Sequence, residues 1–230
     1  MRTEFWAVAA EQAAGVGVFF AAYFVSGYLP MGANIALSVI VGIGAFVGYL
    51  VCNHKDFLDG LWLFPLLFSA ATGFAVGIYF CRFESLFFGN WKTAVTAAAI
   101  PFVFALIACF ELDTEWLDCA RNIVATLIAA GTLVLSVFCF CRWNADNAFF
   151  FREAAFVFLF LFFLLTGVCL YLWQGGDIRH KMNLAFCAAF FIILFIVLLI
   201  VSEGDAADGI GGSIDFGGGG GKVRKKRKGK

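Results

Sequence analysis

Charged residues punctuate this chain at long, regular intervals. No Asp, Glu, Lys or Arg lies between Glu11 and Lys55, and charge-free runs follow at 60–81, 93–110, 122–141, 154–176 and 182–202. Each of these later runs is 18 to 23 residues long, matching the ~20 residues a helix needs to cross a ~30 Å hydrocarbon layer. The first interval, at 43 residues, is too long for one crossing. It is interrupted by Tyr28-Leu29-Pro30-Met31-Gly32, where proline and glycine favour a turn. The pattern therefore predicts seven helices, near 8–29, 31–52, 61–81, 93–112, 123–141, 154–173 and 182–201. A buried helix of a water-soluble domain explains one such run but not seven in succession. Links such as Asn53-His54-Lys55-Asp56 and Gln174-Gly175-Gly176-Asp177 are too short to hold a folded soluble domain.

Composition agrees with the pattern. Of the 230 residues, 63% are apolar or aromatic and 14% are charged, against about 25% charged in ordinary soluble domains. That supply of polar side chains cannot clothe a surface in water, and lipid is the natural medium. The expected fold is an all-α, polytopic membrane bundle: seven transmembrane helices with short loops over 1–201, followed by a disordered tail over 202–230. Glu11-Gln12 interrupts what would be the apolar stretch of a cleaved leader, so the first span is expected to be retained. The eight cysteines form no CxxC pair and read as small apolar residues rather than a disulfide framework.

Charge changes the picture at the C-terminus. The formal net charge is zero, but Lys222, Arg224, Lys225, Lys226, Arg227, Lys228 and Lys230 form an acid-free cluster behind a glycine-rich stretch, and the rest of the chain carries nine bases and sixteen acids. A glycine-rich segment behaves as a flexible tether. Basic residues on it are drawn to an anionic inner leaflet by about 1 kcal/mol each. These seven are the candidate lipid-contacting residues, and a nucleic acid is the weaker partner because no aromatics interleave them. With seven spans the links alternate between two faces. One face holds Arg2, Lys55, Arg121, Arg179 and Lys181; the other holds Arg82, Lys92, Arg142 and Arg152 with the basic tail. Cytoplasmic loops carry the excess of Lys and Arg, so the expectation is an outside N-terminus and a cytoplasmic C-terminus.

Few chemical groups lie within the spans. Glu11 is one, about a turn inside the first span. Among neutral polar residues Asn34 and several Ser and Thr are expected to join helices or bond to their own backbone. Small residues suggest close helix contacts: Gly44 and Gly48 in the second span and Gly73 and Gly77 in the third, both with GxxxG spacing. Spans 2, 3 and 4 are accordingly expected to form the packed interior. The Phe-rich sixth span, with Phe156, Phe158, Phe160, Phe162 and Phe163, is expected to face lipid or a second copy. Pro101 is placed to kink the fourth span. His54 and His180, each near an aspartate, fall on one face. No nucleophile–base arrangement, HExxH or phosphate-binding loop occurs.

The expected function is that of a non-enzymatic channel or transporter for an ion or small solute. Glu11, Asn34, Gly44, Gly48, Gly73, Gly77 and Pro101 are its candidate permeation and packing residues. The alternative is a non-catalytic accessory or scaffold subunit of a larger membrane complex, or a homo-oligomer. No cofactor or metal is expected.

Overall fold

The computed structural model describes residues 2–54, 63–83, 99–100, 104, 115–142, 148–175 and 177–208. Six long helices account for nearly all of these: α1 Arg2–Ser26, α2 Met31–His54, α3 Leu63–Phe83, α4 Glu115–Cys141, α5 Ala148–Gln174 and α6 Ile178–Asp208. Five of them, α2 to α6, are each long and apolar enough to cross a membrane. The all-α polytopic class therefore stands. The expected count of seven spans is not reached among the described residues. Helix α1 has the length of a span, at 25 residues, but is not one of these five. The expected fourth span, 93–112, lies largely outside the described residues, as do Pro101 and the tail beyond 208.

The turns form where the sequence favours them. Pro30 ends the α1–α2 connection and its carbonyl accepts from the Ala33 and Asn34 amides, a first-turn role that proline fills without losing a bond. The Asn34 side chain then donates to the Ser26 carbonyl at 2.9 Å and locks the hairpin. At the α5–α6 turn Gly175 takes φ +64°, the left-handed conformation that closes a helix at least cost when no Cβ is present. Asp177 caps α6 by accepting from the Arg179 amide at 2.9 Å. Lys181 ties the turn from the other side, donating to the Leu170 carbonyl and to Gln174 Oε1.

Helix directions follow from which residues meet. Gly15 lies against Ser69 and Phe186, and Gly73 against Phe19, Ala22 and Tyr23, so α1, α3 and α6 run parallel. Gly42 faces Phe190, Gly48 faces Phe64, and Ser38 donates to the Ala71 carbonyl, so α2 runs antiparallel to α3 and α6. Asn122 donates to the Leu172 carbonyl and Ser136 to the Ala155 carbonyl, so α4 is antiparallel to α5. Helix α5 is in turn antiparallel to α6. Helices α1, α3, α4 and α6 thus point one way and α2 and α5 the other. Arg2 and Asp208 end at opposite ends of the bundle, and so do the C-terminus of α3 and the N-terminus of α4.

Helix α3 is the hub, packed on α1, α2 and α6. Phe68, Ala71, Thr72, Ala75 and Ile78 are fully enclosed. The interior differs from the expected one. The Phe-rich helix, α5, faces inward rather than toward lipid: Phe156, Phe160, Leu161, Leu164 and Leu165 are buried. Phe160 stacks on Phe19 of α1 with ring centres 4.6 Å apart and meets Phe186 of α6 edge-on. Helix α2 is peripheral instead, exposing Ile40, Ile43, Val47, Leu50 and Val51. The physical reason is that hydropathy does not separate interior from exterior when the solvent is as apolar as the core. Phenylalanine fills the wide gaps between helices, while small residues serve only the closest crossings.

Candidate functional site

The GxxxG pairs divide. Gly73 and Gly77 both sit at the α1–α3 crossing, where an added Cβ would strike the Phe19 carbonyl oxygen and Ser26 respectively. Gly48 receives the Phe64 ring, but Gly44 has open space around it and faces outward. Gly42, outside the expected pair, carries the contact with Phe190. Asn34 is wholly buried in the α1–α2 hairpin, a structural position at the far end of the bundle from Glu11. The sequence candidates therefore do not gather at one place. Pro101 and the seven basic tail residues lie outside the described residues.

Glu11 stands apart from the others. The helix begins at Arg2 rather than near residue 8, which carries Glu11 nine residues along α1, about 14 Å from its start. It is 8% exposed, and its neighbour Gln12 is fully buried. Gln12 Nε2 donates to the Leu164 carbonyl of α5 at 3.1 Å and approaches the Met182 sulfur of α6 at 3.9 Å. One amide thus joins three helices. Leu164 lies ten residues before Gln174, the last residue of α5, again about 15 Å from the end of the helix.

Among the described residues, neither Glu11 carboxyl oxygen nor Gln12 Oε1 receives a hydrogen bond. Arg179 lies half-buried in the first turn of α6. One turn farther along α1, Gly15 fits under Phe186 and beside Ser69, so α1 is held close to α3 and α6 just beyond Gln12. Asn183, also buried, donates to the Arg179 carbonyl at 3.0 Å and continues the polar strip along α6. Glu11 and Gln12 thus carry buried oxygen acceptors without donors among the described residues, with Leu164 and Met182 against Gln12 and Phe186 against Gly15. Such a site can take up a positively charged species.

Two further features lie outside the expected set. Glu153 sits inside α5 at 1% exposure. The Tyr49 hydroxyl and His180 Nδ1 share a hydrogen bond of 2.6 Å that joins α2 to α6; the sequence linked His180 to His54 and the aspartates instead. Among the described residues no three His, Cys, Asp or Glu side chains gather in a metal-binding group, and the described cysteines are free thiols. The sequence signal for the site was the Glu-Gln pair three residues ahead of a small-residue face at Gly15. No family model, curated protein or solved structure matches this chain.

Proposed function

We propose that this chain is a seven-pass, non-catalytic membrane protein that moves an ion or small solute through the polar strip around Glu11 and Gln12. The supporting observation is that strip itself: a carboxyl and an amide oxygen enclosed far along the helix with no donor among the described residues. An ionisable side chain in hydrocarbon is costly, and a role in passage is the usual reason for keeping one.

The seventh pass is supported by direction. Helix α3 leaves at one end of the bundle and α4 begins at the other, so 84–114 has to link opposite ends. The charge-free interval 93–110 has the length of one crossing, and residues 99–100 and 104 within it are helical. With the basic tail holding the C-terminus, the N-terminus is outside and the C-terminus cytoplasmic, and the seven tail cations contact anionic lipid there.

Flux in liposomes tests this reading. Purified protein reconstituted with an ion- or solute-sensitive dye inside should pass at least one small solute. Glu11→Gln should reduce that flux at least about tenfold, while removal of 222–230 should leave it intact. No flux for any solute, together with a partner protein lost on tail removal, would overturn transport in favour of the accessory-subunit reading.

A further inference from the structure

We infer that two belts of polar and aromatic side chains, about 30 Å apart, fit the two headgroup layers of a bilayer, and that the Gln12 contact between them lies at its midplane.

The first belt surrounds the α5–α6 turn. Trp173 is exposed, and its indole is fixed by donating from Nε1 to the Thr126 hydroxyl of α4 at 2.9 Å. Asn122 of α4 donates to the Leu172 carbonyl, and Arg121 pairs with Asp118 at 3.1 Å. Lys181 of α6 reaches Gln174 at 2.7 Å. An amphipathic ring held at a helix end among charged side chains suits the boundary between hydrocarbon and water.

The second belt lies at the opposite end. Arg152 stands in the second turn of α5. Phe138 of α4 meets Phe151 edge-on with ring centres 6.4 Å apart, and the Arg142 guanidinium lies over the Phe138 ring, 5.6 Å from its centre. The two arginines therefore share one level. Tyr28, exposed in the α1–α2 turn, is nine residues past Phe19. Arg152 is eight residues before Phe160, the stacking partner of Phe19 on the antiparallel α5. Tyr28 thus joins the same level.

Between the belts the surface is apolar. Helix α4 exposes Ile123, Val124, Leu127 and Val134, and no charge interrupts 154–176 of α5 or 182–202 of α6. Trp173 and Arg152 are 21 residues apart on α5, about 32 Å of helix, against ~30 Å of hydrocarbon. Leu164, which accepts from Gln12, falls within about 3 Å of the midpoint between them. The wholly buried Gln12, with Glu11 beside it, is accordingly about as far from one water layer as from the other. Secondary transporters hold their substrates near that depth. The depth bears on passage only through the transport reading; the belts do not need it.

Tryptophan depth tests this on the full chain, in liposomes whose lipids carry a bromine quencher either near the headgroup or near the end of the acyl chain. Emission lost in Trp173→Phe reports Trp173. Emission gained in Ala130→Trp reports the middle, because Ala130 is exposed on α4, eight residues in from Asn122 and level with Leu164. Gly131→Trp, also open on that helix, serves if Ala130→Trp does not fold. Trp173 should be quenched at least about twofold more by the shallow bromine, and the added indole at least about twofold more by the deep one. Equal quenching from both depths at either position, or the reverse order, would overturn the inference. If Trp173→Phe does not fold, the wild-type chain decides for the first belt. Cys119, exposed and three residues outside Asn122, should react with a water-soluble maleimide, and no adduct on its peptide by mass spectrometry would overturn that belt. Depths as expected without solute flux would remove the transport reading and leave the belts standing. Flux with Ala130→Trp quenched from the shallow side would keep transport and overturn the midplane position.

Discussion

Gly73→Ala measures how closely α1 and α3 approach. A Cβ at position 73 would overlap the Phe19 carbonyl oxygen and stand 2.9 Å from Ala22 Cβ and 3.0 Å from the Tyr23 amide nitrogen. Carbon atoms prefer separations of ~3.5–4.0 Å. Two of the three neighbours are backbone atoms of α1, which no rotamer change can move aside. The helices must therefore part by up to ~1 Å along the crossing, and a gap of that size forfeits a quarter to a half of each contact's attraction. Overpacking of this kind costs about 1–3 kcal/mol. Replacing glycine by alanine also favours the helix by up to ~1 kcal/mol, which would mask part of the loss. Gly44→Ala supplies the control: it gains the same propensity, and its Cβ meets nothing within 4 Å. The two variants should differ by about 1–3 kcal/mol, Gly73→Ala being the less stable. Equilibrium unfolding in mixed micelles, driven by a rising fraction of anionic detergent and followed by circular dichroism, reads that difference directly. Variants equal to within ~0.5 kcal/mol would refute the close crossing, and with it the parallel α1–α3 packing from which the helix directions are drawn.

The inward placement of α5 and the link between α2 and α6 are open to the same assay. Phe160→Ala should lose at least about 1 kcal/mol through missing contacts with Phe19 and Phe186, whereas Phe195→Ala, on the exposed face of α6, should stay within about 0.5 kcal/mol. Equal losses would return the Phe-rich helix to the periphery. Tyr49→Phe removes the hydroxyl bonded to His180 and should cost about 0.5–1.5 kcal/mol, lost equally in His180→Ala and not further in the double variant.

The helical class and most of the turns were legible because both depend on local chemistry. Runs without charge mark what can enter hydrocarbon, and Pro30 and Gly175 fall at turns. The inside of the bundle was not legible. In water a helix shows its buried side by an apolar stripe, but Phe160, which is buried, and Phe195, which is exposed, are the same residue type in helices apolar on every side. Small residues misled for a related reason. Gly73 and Gly77 mark a crossing while Gly44 in the same spacing faces outward, because GxxxG permits close approach without specifying a partner. Glu11 was recognised as unusual from its type alone. The partners of its neighbour Gln12, Leu164 and Met182, lie more than 150 positions away in the sequence and leave no local trace around residue 11.

All of this depends on α1 and α6 running parallel, so that the chain passes from one end of the bundle to the other an odd number of times. Epitope tags at residues 1 and 230, probed in sealed vesicles of known orientation before and after permeabilisation, test that directly. The account predicts that in sealed right-side-out vesicles the N-terminal tag is reached from outside and the C-terminal tag only once the membrane is opened. Both tags reached from the same side would contradict it.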